Sequence, residues 1–78
     1  MMVQKYKFVE KNIKMLRDLT KEGYVSPKLL VYYKLYKSYI DLKKEPKMQR
    51  YSIVSRETNS SISTVRRAVN EMKRYVSE

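Results

Sequence analysis

The 78-residue chain has no cysteine and no histidine. Disulfides, thiolate or imidazole metal sites, and any nucleophile–base pair built on those side chains are therefore excluded. One glycine cannot make a Gly-rich phosphate loop, and the eight acids are scattered rather than paired. These shortages argue against an enzyme, and they lead us to expect no cofactor, no metal and no small-molecule ligand. The longest uncharged apolar run, residues 29–33, is far shorter than the ~20 residues that cross a bilayer. No membrane association is expected. No leader pattern is visible, so the expected location is cytoplasmic, and nucleoid-associated if the source is bacterial.

What the chain does have is positive charge. Eighteen Lys and Arg stand against eight acids, a formal charge of +10. Nucleic acid, an anionic membrane or an acidic protein are the partners that such a charge attracts. Its distribution narrows the choice. Residues 1–44 contain ten Lys and a single Arg, Arg17, whereas residues 45–78 contain two Lys and five Arg. Lysine is a hydrated point charge; arginine is a planar fork that matches phosphates and guanine edges. Specific contacts belong in the second half.

The chain is long enough for one domain. A chain of this size buries only about 60% of the surface that it exposes unfolded, so a dimer would be a useful supplement. Val9, Ile13, Leu16 and Leu19 recur at helical spacing among Lys11, Lys14, Arg17 and Lys21, predicting a first helix over 7–22. Gly23 is the left-handed residue that ends it. Residues 1–6 are open to a strand, a helix or a frayed end. Ser26-Pro27 reads as an N-cap followed by proline at the first helical position. A second, Tyr-rich helix over 27–44 should follow and be packed on both sides. Glu45-Pro46 breaks it. A third helix over 47–58, the turn Asn59-Ser60-Ser61 and a fourth helix over 62–76 complete the reading.

The stretch Val54 to Val69, VSRETNSSISTVRRAV, resembles the helix-turn-helix superfamily of DNA-binding proteins. The resemblance covers residues 51–72 and is degenerate. Val54 and Ser55 match its apolar and small positions, Asn59 its turn Gly, Ser61 the N-cap of its recognition helix, and Thr64, Val65, Ala68 and Val69 the positions that follow. Two departures stand out. Asn59 replaces the usual Gly, and Ser60 stands where an apolar residue normally plugs the turn, a task that Ile62 could take over. The resemblance implies an all-α fold: a small bundle of about four helices with a C-terminal helix-turn-helix. After Val76 only Ser77 and Glu78 remain, too few for the β-hairpin of a winged helix, so a wingless form is expected.

At 100° per residue, Val65, Ala68, Val69, Met72 and Val76 share one face of the fourth helix, with Ile62 at its edge. The opposite face centres on Ser63, Arg67, Asn70 and Arg74, with Arg66 beside them, and contains no acid between Ser60 and Asn70. Arg pairs with guanine and Asn with adenine, so Ser63, Arg66, Arg67 and Asn70 are the expected base-reading residues. Lys47, Arg50, Arg56, Ser61, Thr64 and Arg74 are the expected phosphate contacts, which position the protein without reading sequence. The expected function is sequence-specific binding of double-stranded DNA. A small transcriptional regulator or a phage or mobile-element accessory factor would use it, with a homodimer through the N-terminal helices as one route to affinity. The alternative is a protein-interaction module that uses the same scaffold and basic surface to dock an acidic partner.

Overall fold

The computed structural model describes residues 2–77; Met1 and Glu78 lie outside the described residues. The chain runs through β1 (Met2–Gln4), α1 (Lys5–Lys11), α2 (Ile13–Lys21), α3 (Pro27–Ile40), α4 (Lys47–Thr58), α5 (Ile62–Lys73) and β2 (Tyr75–Ser77). The fold is therefore mostly helical, as the periodicity predicts, with one small sheet in addition. No helix among the described residues is long and apolar enough to cross a membrane.

The first predicted helix is present but kinked. Asn12 divides it into α1 and α2, with φ −111° and ψ 23°. Its side-chain amide donates to the Phe8 carbonyl at 2.9 Å, and its backbone N–H reaches both Phe8 and Val9. An Asn amide competing for a backbone carbonyl is a standard cause of such an interruption. Gly23 ends α2 with φ +85°. The Tyr24 amide donates to Leu19 and the Gly23 amide to Thr20, which is a Schellman closure. Ser26 caps α3 by accepting from the Lys28 amide.

α3 is the central element and packs on α1, α2, α4 and α5. Tyr32, Tyr33, Leu35, Tyr36 and Tyr39 are all buried. The tyrosine rings continue as a chain: Tyr6 lies edge-on to Tyr36, Tyr36 stacks on Tyr39, and Tyr39 stacks on Tyr51. The Tyr-rich face is thus used within the domain, leaving Val31 and three lysines, Lys28, Lys34 and Lys37, on its outer side.

α3 stops at Ile40 rather than continuing to residue 44. The turn that follows is held by Arg50, ten residues on. Arg50 donates from Nε to the Glu45 carbonyl at 2.8 Å and from a terminal nitrogen to the Lys43 carbonyl at 3.2 Å. It draws those carbonyls into a turn, while Pro46 keeps Glu45 out of helical geometry.

The C-terminus departs most from expectation. α5 ends at Lys73, not at residue 76, because Arg74 is extended (ψ 149°). β2 then pairs antiparallel with β1, with Val3 opposite Val76 and Gln4 opposite Tyr75. Val76 is a half-buried strand residue rather than part of the apolar face of α5. The Lys5 amide donates to the Arg74 carbonyl at 2.6 Å, extending the seam. The expected bare end after the last helix is replaced by a strand that binds the opposite terminus. The bundle core is closed by Val9, Val54, Val65, Val69 and Met72, each essentially without exposure.

Candidate nucleic-acid interface

α4 and α5 are joined by a three-residue turn. Asn59 adopts the left-handed conformation, φ 55° and ψ 37°, and is the sole non-glycine among the described residues with positive φ. Asn and Gly tolerate this region best. The Ser60 amide returns to the Ser55 carbonyl at 3.1 Å, and the Ser55 hydroxyl donates to the Ser60 carbonyl. Ser60, the polar residue at a normally apolar position, is thereby tied by both its backbone groups to Ser55. Ile62 does not plug the turn: it is 43% exposed. A polar clasp closes this turn where an apolar contact was expected.

Ser61 caps α5, accepting from the Thr64 amide at 3.1 Å. Its hydroxyl also lies 2.8 Å from that of Thr64. From this cap the helix directs Val65, Ala68, Val69 and Met72 inward, all at 0% exposure. Ser63, Arg66, Arg67 and Asn70 are all exposed on the remaining circumference. No acid occupies the first turn of α5, so the positive end of its dipole is uncompensated there.

The two arginines at the centre of the face lean to opposite sides. Arg66 lies over the Tyr51 ring of α4, its guanidinium carbon 5.6 Å from the centroid. Arg67 turns toward α3 and lines an open cleft of about 350 Å³ with Lys5, Ser26, Lys28, Tyr32 and Glu71. Ser63 and Asn70 stand between them. The face is therefore a polar strip with a cationic margin on each flank.

Glu71 is the one acid within α5, and its charge is matched locally. One carboxylate oxygen lies 2.7 Å from the Lys5 ammonium and the other 3.4 Å from Arg74. The hydrogen bond from Lys5 is the main reason that its carboxyl is held below the ordinary range; burial opposes the shift.

The remaining predicted contacts divide. Lys47 and Arg56 are exposed at the two ends of α4. Arg74 is exposed but paired with Glu71. Arg50 is half-buried and committed to the α3–α4 turn, with its guanidinium 5.2 Å from the Tyr39 centroid. Ser61 and Thr64 are engaged with each other. Three cations in or beside α5 escaped the sequence reading. Lys73 lies 5.8 Å from the Tyr39 centroid, and Lys5 and Lys28 border the Arg67 cleft. Lys73 was legible: it is seven residues, two helical turns, from Arg66 and so on the same stripe. Lys5 and Lys28 arrive from distant sequence and carried no local signal.

Among the described residues no group of acids could hold a metal ion. Comparison with protein-family models, with curated proteins and with solved structures found no match to the chain.

Proposed function

We propose that the protein binds double-stranded DNA sequence-specifically, with α5 lying in the major groove. One observation carries the reading. Ser63, Arg67 and Asn70 are exposed together on the side of α5 opposite its fully buried residues. Side chains of these types at the N-terminal part of a helix can read base edges. The charge supports it: the strip has no acid between Glu57 and Glu71, and Glu71 is already paired. The capped, short α4–α5 turn supports it as well, since it fixes the reading helix relative to the one that would cross the DNA backbone.

In this reading Lys47 and Arg56 hold phosphates on the α4 side, Ser63 and Asn70 face the groove floor, and Arg67 swings out of its cleft to join them. A role in transcriptional regulation, or in the service of a phage or mobile element, follows only from that binding. A homodimer through the outer side of the N-terminal helices belongs to the same proposal. It would present two reading helices about one DNA turn apart.

The test is a binding titration on random-sequence duplex against salt. The log of affinity should fall against log salt with a slope of roughly −4 to −7, as expected for about five to eight phosphate contacts. Selection from a random pool should then yield a consensus. No binding at about 50 mM salt, where even non-specific association is measurable, would reject the reading in favour of docking to an acidic protein.

A further inference from the structure

The stacked pair Tyr39 and Tyr51 carries three cations that the fold does not neutralise. The rings lie 5.3 Å apart at 21°. Arg50, from α4, stands 5.2 Å from the Tyr39 centroid, and Lys73, from α5, stands 5.8 Å from the same ring. Arg66, also from α5, is 5.6 Å from the Tyr51 centroid. Both rings are 4% exposed. Buried ring faces attract cations, yet a ring quadrupole cancels no charge.

No ion pair joins any of these three cations to an acid among the described residues. The contrast with the other flank of α5 is direct, because there Glu71 answers Lys5 and Arg74. Three like charges placed around one ring pair repel each other, and a nearby anion relieves that repulsion. Donor capacity is also free. Of the five guanidinium N–H groups, Arg50 uses Nε and one terminal nitrogen on the Glu45 and Lys43 carbonyls, which fixes its plane and leaves the rest available. Burial pushes the Tyr51 phenol up, with Arg66 and Arg50 pulling against it, consistent with both guanidinium groups lying close to it.

Position selects the anion. Arg66 and Lys73 are two turns apart on one stripe of α5, at the margin of the strip formed by Ser63 and Asn70. A helix lying in the major groove has base edges beneath it and phosphates along its margins. We propose that Arg50, Arg66 and Lys73 form a binding site for a backbone phosphate of DNA, seated on Tyr39 and Tyr51. This rests on the DNA reading above and changes one assignment within it. Arg66, expected to read a base, is drawn sideways onto Tyr51 and serves the backbone instead. Lys73 joins it, and Arg50 acts as the fixed member.

The experiment compares Arg66→Gln, Lys73→Gln and the double variant with wild type on the selected duplex and on random duplex. All are exposed positions, and circular dichroism melts check the fold. The double variant should lower the magnitude of the salt slope by about 0.9, the share of one phosphate, and each single variant by part of that, equally on both duplexes and without altering the selected consensus. Arg66→Lys and Lys73→Arg, which keep the charge, should keep the slope. Lys14→Gln, in the groove between α2 and α3, removes the same charge elsewhere and should leave it unchanged.

An unchanged slope in the double variant would overturn the site while leaving DNA binding intact. So would an equal effect of Lys14→Gln, which would mean diffuse attraction. A changed consensus for Arg66→Gln with an unchanged slope would return Arg66 to base reading. Failure of the wild type to bind any duplex would remove both this site and the reading on which it rests.

Discussion

The Lys5 ammonium and a Glu71 carboxylate oxygen lie 2.7 Å apart, joining residues 66 positions apart in sequence. The pair sits where β1 passes into α1 and where α5 nears its end, so it fastens the seam made by the two strands. Arg74 adds a second, more exposed partner for the same carboxylate. Because both groups of the main pair are about 30% exposed, solvent screens much of the attraction.

Glu71→Gln should therefore cost about 0.5–1 kcal/mol at neutral pH. The carboxyl is held below its ordinary value of 4.5, so the folded state favours the ionised form. This stabilisation is complete above the ordinary value and is lost as the pH falls through the lowered one. Urea melts at neutral pH should separate wild type from variant, and melts at acid pH should bring them together. A gap that persists in acid would show that the pair contributes through packing instead.

The opposite pH limit is set by tyrosine. Burial, and then the hydrogen bond to Glu10, push the Tyr6 phenol up to about 12, and burial also raises Tyr36 and Tyr51. A raised phenol pKa means that the fold prefers the neutral form. The stability it gives is present below pH 10 and is lost as the pH rises from 10 toward about 12. Alkaline unfolding followed by circular dichroism should fall in that window. Tyr6→Phe, which keeps the ring against Tyr33 and Tyr36, should make the decline shallower by about one proton. It should not abolish it.

At the turn, Asn59 occupies the left-handed region with φ 55°. Asn59→Ala should cost about 1 kcal/mol, because a Cβ without the side-chain amide is poorly accommodated there. Asn59→Gly should lie within about 0.5 kcal/mol of wild type, since the relieved strain is offset by the greater freedom of the unfolded chain. Chemical denaturation of the two variants checks the order. Equal losses would mean that the Asn side chain, not its backbone geometry, matters.

The reading face and its supports should respond differently to truncation. Arg67→Ala should broaden the base preference at one position, at a cost of about 1–3 kcal/mol on the selected site. Arg56→Ala should weaken selected and random duplexes alike and lower the salt slope by about 1. Competition binding on the two duplex classes distinguishes them. Identical behaviour of both variants would remove the distinction between α4 and α5 on which the proposal depends.

Much of this architecture was legible in the sequence because its causes are local. Ser26-Pro27, Gly23, Asn59 and Ser61 set their helix ends through their own backbone preferences and short-range hydrogen bonds, and each stands where the residue type predicts. Val65, Ala68, Val69 and Met72 repeat at the helical period, so the buried side of α5, and with it the exposed Ser63, Arg67 and Asn70, follow from spacing alone. What only the tertiary structure decided has partners far away in the chain. Val76 continues the helical pattern, yet pairing with Val3 draws it into a strand. Residues 41–44 could extend α3, yet Arg50 takes the Lys43 and Glu45 carbonyls. The flank on which each arginine of α5 rests is fixed by Tyr51 on one side and by the Lys5, Lys28 and Glu71 cleft on the other. Periodicity records which side of a helix turns inward, but the neighbours that its edges meet depend on contacts between segments that the linear order does not bring together.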